Sequence, residues 1–232
     1  MFKLAVDPGH GGRDPGAVAG GLQEKDITLD IAKRLGAELT GQASILLTRT
    51  EDAELGPTEK SDLWGRCHKA NSWGADFFLS IHCNAFTDPA AHGVETWVVQ
   101  GAYPSTRQTA SIIQQKLSAL GFADRGVKED GNEPKYILRQ TTMSAALVET
   151  GFLTNPEDRA KLAQPEFRQR IAEALADAIR EAFNLQPTWP EIAAKEIQKL
   201  RDDGVLVNDR AWNDGVKWGE LAAVLNRMRG RG

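Results

Sequence analysis

Apolar positions along the chain switch repeatedly between two spacings. Short runs at Phe2–Val6 (FKLAV), Ser44–Arg49 (SILLTR), Asp76–Ile81 (DFFLSI), Gly93–Gln100 (GVETWVVQ), Tyr136–Arg139 and Ala145–Val148 (AALV) have the length and composition of strands. Between them lie stripes at helical spacing: Ile27, Ile31, Leu35 and Leu39 within Lys25–Thr40, then Ile112, Ile113, Leu117 and Leu120 within Pro104–Leu120. A third stripe, Phe167, Ile171, Leu175, Ile179 and Phe183, is the strongest. Further helices are expected over Glu59–Ser72 and Pro156–Ala163. Glu51–Glu59, Asn84–His92 and Ala123–Lys135 read as loops. Strands alternating with helices predict an α/β domain, a twisted mixed sheet flanked by helices.

Helical periodicity breaks at LQPTWP, where two prolines interrupt the chain. This divides the sequence into a domain over 1–184, a linker over 185–190 and a small all-α C-terminal appendage over 191–232. The appendage carries helical patterns at Glu191–Asp203 and Val216–Met228. A helix pair this short buries little surface by itself, so it is expected to dock, self-associate or attach to something else.

Composition narrows the function. The 232 residues are 41% hydrophobic and 26% charged, as in ordinary globular proteins, and the net charge of −4 argues against a nucleic-acid binder. No apolar run approaches bilayer length, so membrane insertion is not expected. Lys3 is followed at once by a short strand and the DPGHGG loop, which does not read as a secretory leader. Cys67 and Cys83 are too few for a disulfide-stapled scaffold.

Candidate chemistry gathers at strand ends. Val6 runs into Asp7–Gly12 (DPGHGG), which puts His10 where a buried strand breaks into a loop. Glu24 follows a glycine pair at the entrance to a helix. His82 ends the strand Asp76–Ile81, and Glu149 ends Ala145–Val148. Two histidines and one carboxylate with an open fourth position form a catalytic zinc set, which leaves Glu149 as the proton-transfer group. Adjacent strand residues face opposite ways, so Cys83 should point away from His82 into apolar surroundings. His68 and His92 read as solvated, Glu95 as an exposed strand carboxylate, and Arg66 and Asn71 as structural.

At these residues the sequence resembles the zinc-dependent N-acetylmuramoyl-L-alanine amidases of the amidase 3 family. The shared motifs are DPGHGG at Asp7–Gly12, EKD at Glu24–Asp26, LTR at Leu47–Arg49, SIHCNA at Ser80–Ala85 and VETGFLTN at Val148–Asn155. The resemblance implies His10, Glu24 and His82 as zinc ligands and Glu149 as the catalytic carboxylate. It also suggests Asn84 and Arg125, the latter in a DRGVK segment, as substrate contacts, with a structural ion pair an equal alternative for Arg125. The implied reaction is hydrolysis of the amide between the lactyl group of N-acetylmuramic acid and L-alanine in peptidoglycan. The expected setting is a phage endolysin made in the cytoplasm without a signal peptide and acting on the wall after release. A bacterial autolysin, a spore-cortex lytic amidase or a zinc peptidase acting on the stem peptide are the alternatives. A vestigial, non-catalytic wall binder should have lost a ligand or Glu149, and all four are present. The chain departs from the family at Ser144, where a proline is usual, which predicts a less rigid approach to Glu149. The appendage faintly resembles half a wall-binding S-layer-homology module, so wall-polymer binding and self-association through 191–232 are both expected roles.

Overall fold

A computed structural model describes residues 1–186. The appendage at 191–232 and residues 187–190 of the linker lie outside the described residues. In chain order the elements are β1 (Phe2–Pro8), β2 (Val18–Ala19), β3 (Leu22–Gln23), α1 (Glu24–Glu38), β4 (Ala43–Leu47), α2 (Glu59–Trp73), β5 (Phe77–Asn84), β6 (Val94–Val98), α3 (Pro104–Ser118), β7 (Asp124–Glu129), α4 (Tyr136–Gln140), β8 (Ser144–Phe152), α5 (Pro156–Leu162) and α6 (Pro165–Phe183).

Six strands form one sheet in the order β4-β1-β5-β8-β6-β7. All neighbours are parallel except β6 and β8, which run antiparallel, so the sheet is mixed as expected. Its central strands are covered on both faces, which is why they read as nearly continuous apolar runs. Strand alternation sorts their side chains between two cores. Leu4, Val6, Phe77, Leu79, Ile81, Cys83, Ala146 and Val148 pack in the core that also holds residues of α1, α3 and α6. Ala5, Phe78, Trp97, Ala145 and Leu147 pack in the other, with Cys67 and Ala70 of α2 and Ile137 and Leu138 of α4. The C-terminal end of α6 is tied to the sheet by Phe183, stacked on Phe2 at 4.3 Å and tilted against Phe77 at 5.3 Å.

Two local expectations are corrected. Tyr136–Arg139, read as a strand, lies in α4: a run this short carries no period, and burying Ile137 and Leu138 together suits a helical turn. Ala123–Lys135, read as a loop, contains β7, a polar edge strand paired in parallel with β6 across a register shift. Its charged composition is common on sheet edges, where it discourages further strand pairing. Ser144 begins β8 with its hydroxyl 2.8 Å from that of Thr106 on α3. Just upstream, Asn71 of α2 donates to the Gln140 carbonyl and accepts from the Thr142 amide. Side chains from two helices thus pin the approach to β8 where the usual proline is missing.

Candidate active site

Alternation along the strands decides which groups can meet. Asp7 on β1, His82 on β5, Glu149 on β8 and Glu95 on β6 share the parity of Ala5, Phe78, Leu147 and Trp97, so all face the α2 side. His82 is the register partner of Glu149, and Glu149 of Glu95, which makes one row across three adjacent strands. Cys83 points to the opposite face, where its buried thiol lies 3.5 Å from the Thr150 hydroxyl.

His10 reaches the same place from the loop after β1. Its backbone sits at φ 61°, a left-handed conformation that costs a non-glycine residue about 1 kcal/mol or more. Two buried arginines hold the loop in place. Arg66 donates to the carbonyls of Pro8 and His10 at 2.7 Å each, and Arg49 donates to those of Pro8 at 3.0 Å and Gly9 at 2.9 Å. Arg66 is itself anchored by buried Asp7 (2.9 Å) and by Asp62 (2.6 Å). Asp7 also accepts from Thr48 and Ser80. Burial alone would raise its pKa, but Arg66 and these two hydroxyls keep it below the usual carboxylate range. The structural reading of Arg66 and Asn71 agrees with these contacts. Asp7, by contrast, has no assigned role in the sequence, although an aspartate ending a buried strand is itself a signal.

Glu24, the first residue of α1, is nearly fully buried. Its Oε1 lies 3.2 Å from His10 Nε2 and 3.0 Å from His82 Nδ1 and accepts the Cys83 amide, while Oε2 accepts the amide of Ala17. One donor atom from each of His10, Glu24 and His82 therefore falls within 4.8 Å of the others, the span of a metal site. On the far side of its ring, His10 Nδ1 is 2.7 Å from Asp14 Oδ2, an outer contact that fixes the tautomer and leaves Nε2 for a cation. Burial lowers the pKa of His10, but Glu24 and Asp14 outweigh it and push the value up to about 9. Glu24 is held well below the carboxylate range: burial opposes this, and the two imidazoles overcome it. Such a cluster repels no cation and gains from one, once the histidine protons are displaced.

Glu149 differs in kind. Its Oε2 is shut off from solvent and has no hydrogen-bond partner among the described residues. Burial pushes its pKa up to about 7, with His82 opposing the shift and the carboxylates of Glu24 and Glu95 reinforcing it. A half-buried carboxyl with one oxygen shut off and unpaired is suited to accept and release a proton near neutrality, as a general acid–base requires.

Glu95, read as an exposed carboxylate, is buried, which corrects that expectation. Alternation along a strand gives the face a side chain takes but not what covers that face. Asn84 and Trp97 donate to Oε1, both at 3.0 Å; Arg125 and Lys128 donate to Oε2 at 2.7 and 2.5 Å. Both residues suggested as substrate contacts, Asn84 and Arg125, therefore converge on Glu95. His68 and His92 are exposed and outside the cluster.

Two imidazoles from the carboxyl ends of β1 and β5 and the carboxylate that opens α1 form a set that could hold a metal ion, with the Glu149 carboxyl in the next strand. Comparison with known proteins gives the family. Residues 4–181 match the model of amidase 3, N-acetylmuramoyl-L-alanine amidase, and the chain belongs to that family. It is similar to the sporulation-specific N-acetylmuramoyl-L-alanine amidase of Bacillus subtilis, at 42% identity over 81% of this chain and 71% of the relative. It is also similar to the endolysin of Bacillus phage SPP1, at 35% identity over 94% of this chain and 80% of the relative. Among solved structures, the catalytic domain of the amidase CwlV from Bacillus (Paenibacillus) polymyxa superposes with a TM-score of 0.72 at 30% identity, covering 80% of this chain and all of that domain. The activity is that of an N-acetylmuramoyl-L-alanine amidase on peptidoglycan.

Proposed function

We propose that the amidase is zinc-dependent, with His10, Glu24 and His82 as the ligands and Glu149 as the acid–base group, and that it serves wall lysis of the endolysin type. One observation carries the assignment: Glu24 Oε1 bridges two imidazole nitrogens, and Glu149, the register partner of His82, holds an Oε2 with no hydrogen-bond partner among the described residues. Mixed imidazole and carboxylate donors suit zinc among the common divalent ions. When bound there, zinc supplies Lewis acidity, making water a competent nucleophile near pH 7 and drawing charge from the scissile carbonyl.

The chain's own groups do the remainder. Asp14 keeps His10 oriented, and the amides of Ala17 and Cys83 keep Glu24 in place. Glu149 takes the proton of the attacking water and passes it to the departing alanine nitrogen, help worth about 10²–10⁴-fold. The endolysin reading is supported by reach: similarity to the phage SPP1 endolysin spans 94% of the chain, well beyond the residues 4–181 of the family match. On sequence pattern we assign 191–232 to attachment at the wall.

The test is digestion of purified peptidoglycan by wild type, by chelated protein with and without added zinc, and by Glu149→Gln. New amino ends at L-alanine are expected only from wild type and the zinc-restored sample. Cleavage elsewhere in the stem peptide would point to a peptidase, and full activity of Glu149→Gln would remove that residue from the mechanism.

A further inference from the structure

The row of paired residues continues past the catalytic groups. From β5 outward it runs His82, Glu149, Glu95, and it then meets β7 at the register shift that brings Arg125 to Glu95. Glu95 uses both oxygens fully, accepting from Asn84, Trp97, Arg125 and Lys128. A carboxylate with all its acceptor sites filled is a fixed post. The cations it holds are not neutralised by it, since one negative charge faces two positive ones. Both are about a third exposed at the side chain, Arg125 at 35% and Lys128 at 32%. Arg125 gives Nε to Glu95 and lies over the Phe152 ring at 4.8 Å, and its terminal nitrogens make no hydrogen bond among the described residues. That planar fork is the shape that binds a carboxylate through two parallel bonds.

Direction along the row says which part of the substrate arrives there. Glu149 must protonate the departing nitrogen, so the amine product lies over β8 and extends away from the ligand cluster, toward β6 and β7. On the other side of the cluster, toward β1 and α2, is a cleft of about 650 Å³ whose lining includes Asp14, Glu54, Glu59 and Asp62. Arg13 and Arg66 also line it, but Arg13 is paired with Glu54 and Arg66 with Asp7 and Asp62, so neither is a spare cation for an anionic peptide and that side is left to the uncharged sugar. Strands about 4.8 Å apart put Glu95 roughly 10 Å from His82. An extended peptide covers about 3.5 Å per residue, so the cations fall about two to three residues beyond the scissile bond.

We infer that Glu95 is a positioning residue that presents Arg125 and Lys128 as a carboxylate-binding subsite, selecting stem peptides with a free carboxylate at the second or third residue. The inference rests on the amidase reading and deepens it. The test uses full-length, zinc-loaded protein and soluble N-acetylmuramoyl tripeptides in which each free carboxylate is converted singly to a carboxamide. For wild type, amidating the recognised position should raise KM about tenfold, the usual scale of a charge-assisted pair, with a much smaller change in kcat. The KM ratio of amidated to free substrate should fall toward one in Arg125→Gln and in Lys128→Gln, whose side chains are about a third exposed and can be replaced without opening the core. Glu95→Gln should lower the same ratio, an effect that merely losing packing would not produce. Equal KM values for all analogues in wild type would overturn the subsite. A ratio that survives Glu95→Gln would overturn the positioning role. Failure of wild type to release the alanine amino end from any analogue would instead strike the amidase reading itself.

Discussion

A methyl group at Gly9 would lie 2.3 Å from Cε1 of His82, and one at Gly16 would lie 2.5 Å from Oε2 of Glu24. Gly16 also has φ +65°, where any side chain is strained. These glycines leave room for two of the three clustered donors. Gly9→Ala and Gly16→Ala should therefore keep the fold yet weaken zinc binding by about 10–100-fold, the usual cost of disturbing a ligand's support. Calorimetric titration beside circular dichroism checks this, and wild-type affinity in both variants would refute it. The motif DPGHGG announces a tight loop, but which glycine yields to which side chain depends on His82 and Glu24 arriving from elsewhere. The same limit explains Glu95. Its face follows from parity with Trp97, whereas its cover comes from Arg125 and Lys128 on a strand that the sequence does not reveal.

At the level of elements, legibility followed burial. The central strands β1, β5 and β8 carry unbroken apolar runs because both faces are packed, and these strands bear Asp7, His82 and Glu149 at or near their ends. β7 (DRGVKE) is mostly exposed and charged, with only Gly126 and Lys128 half-buried, and so reads as a loop, while α4 is too short to show a period. The element whose function is least visible in one dimension is α2. It has a capping box at Thr58 and Ser61 and a left-handed Gly74 at its end, and it buries Arg66 completely. Arg66 converts the position of α2 into the shape of the His10 loop through the carbonyls of Pro8 and His10. Removing one partner of a buried ion pair strands the other, at a typical cost of about 3–5 kcal/mol. Arg66→Met should thus lose stability on that scale in urea denaturation and lose zinc affinity with it. A loss below about 1 kcal/mol would mean that Asp7 and the loop carbonyls find other partners.

For the whole molecule, the same burial that suits Glu149 to catalysis acts against folding. In the metal-free protein its pKa stands at about 7 against an ordinary 4.5, so between these pH values the folded state holds a proton that the unfolded chain has released. Stability from this group is complete below pH 4.5 and is lost as pH rises through about 7. The full shift corresponds to as much as ~3 kcal/mol at 1.36 kcal/mol per unit. Glutamine is isosteric and cannot ionise, so Glu149→Gln should abolish hydrolysis while raising the melting temperature of the chelated protein at pH 8. The gain should shrink to nothing below about pH 4.5, where both side chains are neutral. Zinc should reduce it at pH 8 as well, because a cation beside the carboxylate favours its charged form. Thermal melts of both proteins across pH, with chelator and with zinc, read this directly. A variant no more stable than wild type at pH 8 in chelator would show that Glu149 ionises without penalty, which would remove the physical basis for its proton-transfer role.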